Sequence, residues 1–218
     1  MKHTLDPHMF RHLSLAETCR KVAELGYDYV ELSPRPDFLS WWTRPKVYPE
    51  RVAEFKKALK DHGVGLATLQ PMYRWASPYP DEWEVAIDNW KRAIEIAVEM
   101  ECPMFVSEFG RGGSPERSLN DRSGLHRPET CEAQFFRAMD VLVPILEREG
   151  LVLSLEAHPE DWIEEIAPAI DIIKPINSKA VKASFIAPHT FFYGPDMVAN
   201  LRATEGHLVH VRLADTYE

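Results

Sequence analysis

At 218 residues and 45% hydrophobic content, the chain can bury one sizeable core, and we read residues 1–218 as a single domain. Its 34 acidic and 25 basic residues give a net charge of −9, which leaves no general basic field and argues against a nucleic-acid partner. Three cysteines without CxxC spacing, an N-terminus (MKHTLDPHMF) without an apolar core, and no apolar run of about 18 residues argue against a disulfide framework, a secretory leader and a membrane span. A cytoplasmic protein acting on a small polar molecule is the expectation.

Short apolar runs alternate with amphipathic stretches. After KHTL, a helix starts at Ser14, where Glu17 completes a capping box, and stops at Gly26 before the strand YDYVEL. The next helix, 48–63, sets Val52, Phe55 and Leu59 on one face and hands over to VGLATL. A third, 81–101, carries Trp83, Ile87, Trp90, Ile94 and Ala97 at helical spacing, the signature of a core stripe, and precedes PMFVSEF. Then come a helix over 130–150, the strand LVLSLEA, a short helix near 161–174, the strand AVKASFIA, the helix PDMVANLRA and the strand HLVHVRLA. Such alternation marks βαβ units on a parallel sheet.

Seven strands and six helices bring the chain to DTYE. An open doubly wound sheet would more often carry a Gly-rich phosphate loop after its first strand, and LDPHMFRH has none. The expected fold is therefore α/β, a (β/α)8 TIM barrel whose eighth unit is missing from this chain, a domain incomplete at its C-terminus. The longest irregular stretch, 110–130, carries Arg111, Arg117, Arg122 and Arg127. It reads either as a solvated loop or as a collector of phosphate or carboxylate groups.

Side chains alternate along a strand, so parity sorts them. In the last strand Val209, Val211 and Leu213 should meet helices, while His210, Arg212 and Ala214 face inward. In LVLSLEAH, Leu153 and Leu155 should meet helices, and Ser154, Glu156 and His158 should line the interior or its rim. An inward carboxylate needs a cation or hydrogen-bond donors. Other strand ends supply Glu31, Ser33, Thr68, Gln70, Glu108 and His189, and polar groups gathered at such ends are where barrel enzymes keep their chemistry. Trp41, Trp42, Tyr73, Trp75 and Tyr79 could stack on a sugar ring or merely pack loops against the rim.

From YDYVELSPR through SEFGRG, LEAHP and APHTFFYG to VHVRLAD, the chain resembles the sugar phosphate isomerase/epimerase superfamily, the xylose isomerase-like barrels that include inositol-catabolism proteins and endonuclease IV. The resemblance implies proton transfer next to a carbonyl and a divalent metal (Mn, Mg, Zn or Fe). The usual ligands are Glu on strand five, Asp on six, His on seven and Glu on eight. By position Glu156 keeps the first, and His158 follows in the Glu-x-His-Pro pattern. Ile186 stands where the Asp would be, with His189 retained after it, and Arg212 stands for the His, with Asp215 retained. Ile has no donor atom and Arg stays protonated, so neither can bind the ion. Two repairs remain open: a metal held by Glu156 and His189 with Glu108 or His210, or Arg212 as the cation itself.

The resulting expectation is a sugar or cyclitol isomerase/epimerase. Its catalytic residues would be Glu156, His158, His189 and Arg212; Glu108, His210, Trp75 and Asp215 would contact a sugar, keto-sugar or cyclitol, and homo-oligomers are compatible with this reading. A keto-sugar lyase or dehydratase on the same site and a sugar-binding protein that has lost catalysis are the alternatives; endonuclease IV-like repair would need a basic groove.

Overall fold

The computed structural model describes residues 1–41, 43–113, 117, 119–192 and 196–214. The chain divides into two compact units, Met1–Met72 with Asn89–Phe105, and Tyr73–Asp88 with Val106–Glu218.

The first unit contains β1 (Thr4–Leu5), α1 (Leu15–Glu24), β2 (Tyr29–Leu32), α2 (Pro49–His62) and β3 (Gly65–Leu69), with the C-terminal half of α3 (Pro80–Glu99) and the start of β4 (Met104–Glu108). Its strands pair in parallel in chain order, β3 meeting β4 at Leu69 and Phe105. The expected capping box is present: the Ser14 and Glu17 backbone N–H groups each donate to the other's side chain, at 2.9 and 3.3 Å. Gly63, in the left-handed conformation at φ 65°, ends α2. Val52, Phe55 and Leu59 are buried, and Phe55 meets Phe38 edge-on at 5.2 Å.

The second unit holds the rest of α3 and β4, then α4 (Pro128–Glu149), β5 (Val152–Glu156), α5 (Ile166–Ile173), β6 (Val181–Ile186), α6 (Ala187–Phe191), α7 (Met197–Ala203) and β7 (Leu208–Arg212). β5, β6 and β7 pair in parallel, in that order. Leu153 and Leu155 are 0% and 1% exposed. On the opposite face, Ser154 and Ser184 hydroxyls meet at 2.7 Å and Ser184 meets His210 Nδ1 at 3.2 Å, a buried polar ladder across three strands.

Three expectations change. The short helix begins only at Ile166, because the Asp161 N–H donates to the His158 carbonyl at 3.1 Å and Glu160 turns to φ 66°, closing a tight turn instead. His189 lies on α6, a single helical turn that Pro188 can enter because proline needs no N–H there, rather than on a strand end. Val209, Val211 and Leu213, expected to meet helices, are 45%, 47% and 78% exposed; no helix follows β7 among the described residues. No helix of the described residues is long and apolar enough to cross a membrane.

Candidate active site

β5 delivers the central group. Glu156 is its last residue, is 1% exposed, and leans to the side opposite Leu155. The chain then turns at Ala157, and His158 Nδ1 lies 2.6 Å from the Pro159 carbonyl oxygen. A carbonyl only accepts, so this contact puts the proton on Nδ1 and leaves the Nε2 lone pair outward in the neutral ring. α6 brings the His189 ring to 4.4 Å from the His158 ring, nearly edge to face. One ligating atom from each of Glu156, His158 and His189 lies within 4.8 Å of the others. From β7, Arg212 Nη1 approaches Glu156 Oε2 at 3.9 Å.

β4 contributes the second acid. Glu108 is 3% exposed, with Oε1 3.5 Å from His158 Nε2 and Oε2 3.8 Å from Arg111 Nε. Gaps of 3.5–3.9 Å exceed a good hydrogen bond and suit an intervening hydroxyl or water. Burial pushes the Glu108 carboxyl up to about 7, against the opposing pull of Arg111. Asp161, turned inward by the loop after β5, is raised well above the ordinary carboxylate range by burial and then by the charge of Glu108. Burial, with His158 and Arg212 adding to it, lowers His189 to about 4, so its ring is neutral at physiological pH. Its Nδ1 is buried and makes no hydrogen bond among the described residues. The whole is a buried carboxylate between two imidazoles and a permanent cation, with a second carboxyl of raised proton affinity beside it.

Glu156, His158, His189, Arg212 and Glu108 thus come together. His210, from β7, is 9% exposed and takes part in the Ser154–Ser184 ladder. Trp75, expected to offer a ring to substrate, is 0% exposed and edge-on to Phe135 at 5.8 Å, because Gly110 lets the end of β4 close over it. Tyr73 and Tyr79 are likewise buried. Asp215 and Trp42 lie outside the described residues. Glu31, Ser33, Thr68 and Gln70 belong to the first unit, where Ser33 donates to Asp6 at 2.6 Å. The pattern reading missed Asp161 and gave Arg111 no place apart from three other loop arginines. An acid three residues beyond Glu-x-His was the available signal for Asp161.

A carboxylate and two imidazoles form a donor set suited to Zn, Fe or Mn. His158 also has the outer hydrogen bond, Nδ1 to a backbone carbonyl, that commonly orients a metal-binding imidazole. These residues therefore fit a divalent ion. In this cluster the third candidate donor is His158.

A family model described as "Xylose isomerase-like TIM barrel" matches residues 19–218. No curated protein matches in sequence. Among solved structures, D-psicose 3-epimerase in the presence of D-fructose is similar with a TM-score of 0.78 at 15% identity, over 97% of this chain and 72% of that one. Apo 3-keto-D-glucoside 4-epimerase from E. coli gives 0.74 at 19%, over 98% and 78%. A probable 3-DHS dehydratase from Bacillus anthracis gives 0.70 at 16%, over 97% and 72%. At these identities the likeness is one of fold.

Proposed function

Because the chain belongs to the xylose isomerase-like TIM-barrel family, we propose that its second unit carries the active site of a sugar or cyclitol isomerase/epimerase that moves a proton α to a carbonyl. The observation that carries this reading is Glu156, a 1% exposed carboxylate with Arg212 3.9 Å away and two imidazoles within ligand distance. Proton abstraction next to a carbonyl requires a base and a positive or donor group where the enolate oxygen develops, and both are present. The epimerases of similar fold support the substrate class.

Glu156, His158 and His189 would hold a divalent ion, which when bound polarises a carbonyl oxygen. The residues perform the remaining work. Arg212 keeps its charge at every working pH and offers N–H donors to an enolate or hydroxyl oxygen from β7. Neutral His189 donates or accepts at a hydroxyl without adding charge. Glu108, with its affinity for a proton near neutrality, is suited to take or return the α-proton.

The test is conversion of a panel of ketoses, 3-keto-glycosides and keto-inositols followed by proton NMR. The proposal expects a new epimer or aldose–ketose isomer from at least one, lost on Glu156→Gln. Loss of a hydroxyl in place of a new stereocentre would identify elimination, which begins with the same abstraction and is a chemistry of one similar fold. Binding without conversion across the panel would contradict both.

A further inference from the structure

At the N-terminal ends of β6 and β7, away from the strand ends that hold Glu156 and Arg212, lies a second pocket of about 240 Å³. Lys174, Asn177, Ser178, Lys179, Lys182 and His207 line it. Lys182 is two residues before Ser184 and so lies on the same face of β6, the one that carries the buried serine–histidine ladder. It is only partly exposed. An ammonium placed there without an acid loses hydration and gains nothing in return. Lys174 has Asp171 at 3.2 Å, and Ser178 donates to Glu147 at 2.6 Å. The side chains of Lys179, Lys182 and His207 have no hydrogen bond or ion pair among the described residues. Two unpaired ammonium groups and an imidazole around one small cavity are unexpected in a chain of net charge −9.

We infer that this pocket is a binding site for a small phosphate-bearing anion, separate from the site on the opposite strand ends. Its chemistry supports that class. Ammonium groups bind phosphate oxygens as point charges, and the Asn177 amide adds a neutral donor. Its volume lies below the roughly 300 Å³ at which sites for drug-sized ligands begin, so it suits inorganic phosphate or the phosphoryl end of a small metabolite. Ile186 lies four positions along β6 from Lys182, about 13 Å at the usual strand rise, too far for one small ligand to serve both ends. The inference therefore stands independently of the proposed reaction.

The test is isothermal titration of the native protein with inorganic phosphate and with glucose 1-phosphate, in a phosphate-free buffer. We expect saturable binding at one site per chain, weakened about tenfold or more by combining Lys179→Gln with Lys182→Gln. Lys60→Gln, which removes one positive charge on α2, should leave it unchanged. Tighter binding of glucose 1-phosphate would identify a phosphorylated metabolite as the ligand, and equal binding would identify free phosphate; both support the site. Lys179→Glu, at an exposed position, repeats the test should the Lys182 variant not fold. No saturable binding of either probe, or equal weakening by Lys60→Gln and the pocket variants, would overturn the inference.

Discussion

Glu156 and Glu108 are both almost fully buried, yet their surroundings push them toward different roles. Glu156 faces Arg212 and two imidazoles, whereas burial raises Glu108 to about 7. The first is suited to hold a cation and the second to exchange a proton. Two predictions belong to this scale. Native protein should contain one divalent ion per chain by elemental analysis, and Glu156→Gln and His189→Ala should each lose it; metal retained in both would place the ion elsewhere. The second concerns pH. Glu108 has a folded-state value above its ordinary 4.5, so the folded protein holds that proton more tightly than the unfolded chain. Its contribution to stability is complete below about pH 4.5 and is lost as the pH rises through about 7. For chelator-treated protein, the urea midpoint of the native sequence relative to Glu108→Gln should fall between about pH 5 and pH 8, and a constant difference would refute the assignment. Glu156, His158 and Arg212 were legible because strand parity and a short motif fix where they point. Asp161 was not, since its direction comes from a turn that a helical pattern hid, and Trp75 looked like a rim residue because nothing local reports that a glycine lets a neighbour close over it.

Among the elements, the end of β4 organises the surroundings of the site. Gly110 has φ 82°, and an added Cβ would lie 1.7 Å from a Trp75 ring atom that is itself fully enclosed. The ring cannot retreat, and the conformation disfavours any side chain. Gly110→Ala should destabilise the protein by about 2–4 kcal/mol in urea unfolding and should disturb the neighbouring Glu108. A change within about 0.5 kcal/mol would show that the loop relaxes freely. Next to it, Trp162 Nε1 donates to the Phe109 carbonyl at 3.3 Å, tying the loop after β5 to the end of β4. Helices and strands were readable here because each buries one stripe or one face, which leaves a periodicity. The one-turn α6 was not, since a single turn has no period to detect.

For the whole molecule, the parallel β/α repeat appeared in the sequence as seven apolar runs separated by amphipathic stretches, and the structure has those strands. The chain covers nearly all of itself against epimerases of similar fold while matching 72–78% of their length. The cysteines give a probe of both units. Cys19 and Cys102 in the first unit and Cys131 in the second are buried, and burial pushes each thiol up to about 12. None should react with a thiol reagent in native protein at neutral pH, and all three should react in denaturant. Reaction of one in native buffer would show local opening of the unit that holds it.

The most direct test of the central claim is deuterium incorporation at the carbon next to the carbonyl of a keto-sugar incubated with the protein in D2O, read by NMR. The account predicts enzyme-dependent exchange with at least one ketose or keto-inositol, reduced about 10²–10⁴-fold by Glu108→Gln and lost on Glu156→Gln. Absence of exchange with every such compound, or exchange that Glu156→Gln leaves intact, would contradict it.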